Sequence, residues 1–218
     1  MKQVPVRVPY EPVEAPVASP NRRVLSKLRT RAKVLEAARA LFTEHGYEAS
    51  TIRDIAKRAG LSTGAVFANF QDKNDLFEAV LIEDYENVAQ RMREAAVREG
   101  DSKTRILAVF TAAYEYYLEN LPLLQASVSQ SWLRPLGADQ KGRSAVKVLL
   151  GIVADVLGEA ARNGEIREDF DVRMVSETLW DCYLANYRRA LFDGWALEAL
   201  RQRLSNQIDL VLGGLRKS

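Results

Sequence analysis

The 218-residue chain contains one cysteine, Cys182, and one histidine, His45. A single cysteine excludes an intramolecular disulfide, and the two residues are too few for a cysteine–histidine zinc site, so neither a metal nor a cofactor is expected. Long apolar runs are also missing. The longest candidate, residues 148–154, is bounded by Lys147 and Asp155, well short of the roughly 20 residues a membrane helix needs, so no membrane partner is expected. Signatures of catalysis are missing too: there is no GxxxxGK[ST], no GxGxxG after a strand, no HExxH and no nucleophile elbow. No catalytic residue is expected, and the chain does not read as an enzyme.

Proline is scarce except at the start, where Pro5, Pro9, Pro12, Pro16 and Pro20 are five of the seven in the chain. That spacing breaks the apolar core of a signal peptide and favours an extended arm over residues 1–24. The cytoplasm is the expected compartment. Arg22 and Arg23 at the end of the arm either reach a nucleic-acid groove or belong to a tail with no role. Excess charge is scarce overall, with 31 Lys and Arg against 29 Asp and Glu. Its distribution is uneven: residues 21–73 hold eleven basic and five acidic residues, net +6, and residues 74–218 hold eighteen and twenty-two, net −4. A nucleic-acid-binding module ahead of a neutral or acidic domain has this asymmetry, and so has a solvated basic helix.

What the sequence does have is helix after helix. The first runs from Ser26 or Thr30 to His45, with Val34, Leu35, Ala38, Leu41 and Phe42 on one face, and Gly46 stops it. His45 in its last turn suits the negative end of the helix dipole. Residues 51–70 then spell two short helices. Thr51 and Asp54 form a capping pair, Ile52, Ile55, Ala56 and Ala59 a buried face, and Gly60 a left-handed stop. Ser62 caps the second helix, residues 63–70, with Leu61 and Val66 as its hydrophobic staple. Two helices joined by a short glycine-containing turn are either a helix-turn-helix, whose second helix enters the DNA major groove, or an ordinary helical hairpin. Gly64, Ala65 and Ala68 are small enough for close backbone approach, and Thr63 and Asn69 can hydrogen-bond base edges. Arg53, Lys57 and Arg58, with Arg22, Arg23, Lys27, Arg29, Arg31 and Lys33, supply phosphate-neutralising charge.

At these residues the chain resembles the TetR family of bacterial transcriptional regulators. The resemblance spans residues 28–88 and rests on Ala38, Leu41, Phe42, Gly46, Thr51, Ile55, Ala56, Ala59, Gly60, Ser62, Gly64, Phe70, Lys73 and Leu76. It departs from the family where tyrosine is usual and Phe67 stands, and where histidine is frequent and Asn69 stands. The resemblance implies phosphate contacts from Thr51, Thr63, the Gly64 backbone and Lys73. The DNA-binding set is then Thr51, Arg53, Ser62, Thr63, Gly64, Ala65, Phe67, Asn69 and Lys73. Asp72 and Asp75 cap a fourth helix that starts at Lys73 and runs towards Val97.

Further helices follow over residues 103–119, with Ile106, Leu107, Phe110, Ala113, Tyr114, Tyr117 and Leu118 on one stripe, and over residues 120–133. The latter carries no charge and reads as buried. Its Gln125, Ser129 and Trp132, with Tyr114, Tyr117, Trp180, Tyr183 and Asn186, are candidates to line a ligand cavity; alternatively their polar groups satisfy one another. A helix from Asp171 to Phe192 has two apolar stripes, and the last helix repeats leucine and isoleucine at steps of three and four. Leu184, Tyr187, Leu191, Leu200, Leu204, Ile208 and Val211 are candidates for a dimer interface, since the resemblance implies pairing of the last two helices between subunits; burial of both stripes within one chain is the alternative.

The expected fold is all-α, with an arm at 1–24, a helix-turn-helix DNA-binding domain at 25–88 and a helical regulatory and dimerisation domain at 89–218. The expected function is a ligand-responsive regulator, most simply a repressor, that binds a near-palindromic double-stranded operator as a homodimer and is released by a small-molecule effector. A helical adaptor without sequence-specific DNA binding is the alternative.

Overall fold

The computed structural model describes residues 22–133 and 140–215, apart from the side chains of residues 130–133, 140 and 141. Most of the arm, and the Trp132 side chain offered for the ligand cavity, therefore lie outside the described residues. Those described form nine helices and no strand: α1 (Arg22–Ala49), α2 (Ile52–Arg58), α3 (Thr63–Phe67), α4 (Lys73–Ala96), α5 (Ser102–Leu118), α6 (Leu121–Leu133), α7 (Gln140–Arg162), α8 (Val172–Asp193) and α9 (Leu197–Gly213).

The helices close over two apolar cores. One is built by α1, α2, α3 and the first half of α4, from Val34, Leu35, Ala38, Phe42, Ile55, Val66, Phe70, Leu76, Phe77 and Val80. Phe42, Tyr47 and Phe77 meet there with ring centroids 4.6–5.7 Å apart. The other joins the second half of α4 to α5, α7, α8 and α9. α4 thus belongs to both, contributing Leu76–Leu81 to the first and Val88, Met92 and Ala95 to the second. α6 departs from the expectation of a buried helix. Leu123 fills the first core and Leu124 the second, while Gln125, Val128 and Ser129 are exposed.

The boundaries of α1 and α3 differ from those read in the sequence. α1 begins at Arg22, so the end of the proposed arm is helical; α1 bends at Gly46, whose φ of 78° leaves helical space. α3 is only five residues long, because Ala68 and Asn69 already form its closing turn.

The largest correction concerns α9. Leu200, Leu204 and Ile208, expected between subunits, are fully buried inside the chain against α5 and α8. Tyr187 is buried as well, its hydroxyl donating to the Ala113 carbonyl at 3.1 Å. Leu184, Leu191 and Val211 remain half-buried. A leucine row at steps of three and four shows that a face is covered; it does not say by which chain.

Lys73 also takes an unexpected place. Its Nζ donates to the carbonyls of Tyr47 (3.0 Å), Glu48 (3.4 Å) and Ser50 (3.2 Å) and lies 4.2 Å above the Tyr47 ring. The ammonium thereby adds charge-assisted bonds to carbonyls at the end of α1, and fastens α1 to the start of α4.

Leu204→Ala should lower stability by about 2–5 kcal/mol, the range for a truncated core leucine, rather than split a dimer; urea unfolding measures it. Lys73→Met should lower it by about 1.5–3 kcal/mol, because it removes charge-assisted bonds to the carbonyls at the end of α1. A pure phosphate contact would leave the urea midpoint unchanged.

Candidate nucleic-acid interface and effector cleft

α2 and α3 are too short to persist alone and are fixed at their ends. Thr51 Oγ1 accepts from the Asp54 amide at 3.2 Å and donates to the Asp54 carboxylate at 2.5 Å. Gly60, at φ 67°, turns the chain, and the Leu61 amide closes back on the Ala56 carbonyl at 2.9 Å. Ser62 Oγ then accepts from the Ala65 amide at 3.2 Å. Residues 60–64, GLSTG, do spell the G-x-S-x-G of a nucleophile elbow, contrary to the expectation from the sequence. No strand precedes them among the described residues, however, and Ser62 Oγ is a helix cap, so the match carries no chemistry.

Val66 and Phe70 anchor α3 in the first core, leaving Thr63, Gly64, Phe67 and Ala68 outward. Phe67 is 55 % exposed, an unusual position for an aromatic ring with no role outside the chain. A Cβ on Gly64 would meet only Ser62 Oγ, at 3.8 Å, and its φ is ordinary. Nothing inside the chain therefore requires glycine there. Thr51, Arg53, Ser62 and Lys57 are exposed with this face, and Ala65 is half-buried.

Two residues expected to read or hold DNA are turned inward. The Asn69 amide donates to the Ala65 carbonyl at 2.9 Å and its Oδ1 is buried, while Lys73 is engaged by the end of α1. Arg58 is held by Glu44 through bonds of 2.5 and 2.7 Å, which lower the Glu44 pKa and neutralise that part of the basic surface. Arg31, read in the sequence only as phosphate-neutralising charge, has a structural role. Its guanidinium donates to the Asn69 carbonyl at 3.2 Å and lies 4.3 Å over the Phe70 ring, clamping the end of α3 to α1. A partner 38 residues away leaves no local signal.

The residues proposed for a ligand cavity separate into two groups. Tyr114, Tyr117 and Tyr183 are buried, and Trp180 packs 5.2 Å from Tyr183 and 6.5 Å from Phe110. Tyr114 donates to the Tyr183 carbonyl and accepts from Asn186 Nδ2, and the Tyr183 and Tyr187 hydroxyls lie 2.8 Å apart. Burial pushes the phenols of Tyr114, Tyr117, Tyr183 and Tyr187 upward, so they stay neutral in the core. Tyr114, Tyr117 and Tyr183 are core residues here and not walls of the cavity that the other group lines. Gln125 and Ser129 do line one, a cleft of about 600 Å³ between α6 and α8. Leu124 and Val128 line it from α6, and Leu184, Tyr187, Leu191, Asp181 and Arg188 from α8. Its walls are mainly apolar, with charge at the rim, as in many small-molecule sites.

Residues 34–80 match the profile of bacterial regulatory proteins, tetR family. The chain is 30% identical over 191 residues to the HTH-type transcriptional repressor AcnR of Corynebacterium glutamicum, covering 86% of this chain and 93% of that protein. It is similar in fold to the transcriptional regulator FadR from Bacillus subtilis, solved in complex with stearoyl-CoA, with a TM-score of 0.70, 24% identity, and 85% and 99% of the two chains covered. The fatty acid degradation regulator FadR from Bacillus halodurans is also similar, with a TM-score of 0.70 at 21% identity over 87% and 97% of the chains. With its two capped helices, its outward glycine and a full-length relative at this identity, the chain belongs to the TetR family of bacterial transcriptional regulators.

Proposed function

We propose that the protein is a cytoplasmic, non-enzymatic transcriptional repressor that binds a near-palindromic operator as a homodimer and releases it when a small molecule binds. In this reading residues 25–88 form the DNA-binding domain and residues 89–218 the regulatory and dimerisation domain. The observation that carries it is Gly64, where an added Cβ would make only an ordinary contact with Ser62 Oγ, so that it has no internal reason to be glycine. On a recognition helix the missing Cβ lets the backbone come close to the duplex. Thr63 and Phe67 flank it. A threonine hydroxyl can bond a base edge, and a phenylalanine ring suits a thymine methyl.

The subunit interface is assigned to the outward stripe that lies beside the buried leucines. On α8 this stripe runs through Met174, Asp181, Ala185 and Phe192, and on α9 through Ala199, Asn206, Leu210 and Gly213, all exposed. Phe192 and Leu210 are 73 % and 80 % exposed. The effector is assigned to the cleft between α6 and α8. Stearoyl-CoA, held by the Bacillus subtilis relative, is the first compound to try there.

Gly64→Ala should leave the melting temperature equal or higher, since alanine favours helix by about 0.5–1 kcal/mol over glycine. Affinity for an operator selected from random duplexes should nonetheless fall about tenfold or more, read by fluorescence anisotropy; unchanged affinity would remove the central support. Phe192→Asp combined with Leu210→Asp should halve the mass seen by light scattering while the helical circular-dichroism signal is kept. A dimeric mass in that variant would mean that subunits meet elsewhere.

A further inference from the structure

The first turns of α1 are helical although they contribute nothing to a core. Residues 22–29 are all exposed, and the first buried residue of the helix is Val34. At 1.5 Å per residue this stretch carries the chain about 14 Å past Arg31. So short a segment is marginal as an isolated helix, and it persists as an extension of the anchored part. It holds Arg22, Arg23, Lys27 and Arg29, and the helix has no acidic residue before Glu36.

Its placement follows from Arg31, which binds α1 to the closing turn of α3 at Asn69 and Phe70. With α3 in a major groove, the end of α3 lies beside the phosphate ridge that borders the groove. α1 runs past that end. Val24 and Leu28, 50 % and 56 % exposed, continue at steps of four and seven the row of Leu35, which is buried in the first core. The extension therefore prolongs the face that meets α3, and does not turn away into solvent.

We propose that residues 22–29 of α1 form a second DNA contact, in which Arg22, Arg23, Lys27 and Arg29 grip phosphates flanking each half-site. This rests on the DNA-binding reading given under Proposed function. The contact is electrostatic, so it lengthens the footprint and raises affinity without choosing the sequence.

The test uses the full chain and an operator selected by it from a random duplex pool. Failure to enrich any duplex would sink the DNA-binding reading itself, independently of this extension. Given an operator, anisotropy titrations at several salt concentrations compare the wild type with a variant carrying Arg22→Ala, Arg23→Ala, Lys27→Ala and Arg29→Ala. The slope of log K against log salt should become shallower by about 0.9 for each phosphate that the variant no longer neutralises. Affinity near 0.1 M salt should drop about tenfold or more, with base preference unchanged. Trimming the duplex to its two half-sites should weaken the wild type and leave the variant unaffected. Lysine at all four positions should restore the wild-type slope, which separates charge from an effect on folding. An unchanged slope with an unchanged response to trimming would overturn the proposal. So would a variant that keeps its slope but loses binding to anionic phospholipid vesicles, since the basic and apolar turns would then be a membrane-facing surface.

Discussion

A buried carboxylate fixes how the two cores sit on each other. Asp84, on the stretch of α4 between them, is fully buried and is reached by Arg39 of α1 and Tyr116 of α5. The tyrosine hydroxyl donates to it at 2.6 Å; the same Arg39 also reaches Glu83 at 3.2 Å and the Val80 carbonyl at 3.5 Å. Oδ2 of Asp84 has no partner among the described residues. A desolvated charge is tolerated only while its partners stay in place, because the Coulombic attraction and the hydrogen bonds must offset the loss of water. Any tilt of α1 against α4 and α5 would strip that compensation away. The arrangement resists intermediate positions, as a junction between a reading head and a sensor needs to.

α6 gives the junction a second input. Leu123 and Ala126 pack against the first core, Tyr85 meets Ser127 at 3.1 Å, and Leu124, Gln125, Val128 and Ser129 face the cleft. One helix thus has the cleft on one side and α1 on the other. A molecule that fits the cleft better in one position of α6 than in another shifts the balance between positions by that difference in affinity, and by no more. α6 adjoins both the cleft and the first core, but coupling along it is a matter of energy and not of adjacency.

The sequence was most legible where structure is local. Thr51, Gly60, Ser62 and Asp72 declare helix ends because a cap bonds within three or four residues, and all four lie at the ends they imply. The family resemblance lay in the same span. Legibility fell with sequence distance. Nothing near Lys73 indicates that carbonyls some 25 residues earlier will hold it, and nothing near Asn69 indicates that its amide will turn back on the helix. The apolar rows of α8 and α9 marked covered faces correctly, but burial within the chain and burial between chains leave the same period. The tyrosines invited a cavity reading because they are amphipathic; the hydroxyls of Tyr114, Tyr183 and Tyr187 find carbonyls and one another, partners that lie far off in the sequence or a helical turn away. α7 went unread beyond a short apolar run.

The brevity of α3 has a thermodynamic side. Five residues cannot hold a helix in water, so the conformation that meets DNA is imposed by Ser62, Val66, Phe70 and the Arg31 clamp. The entropy of ordering that backbone is therefore lost when the chain folds, not when a duplex arrives. On the proposed DNA-binding reading, docking then restricts mainly the outward side chains, and since Gly64 and Ala68 have no rotamers to lose, that restriction falls chiefly on Thr63 and Phe67.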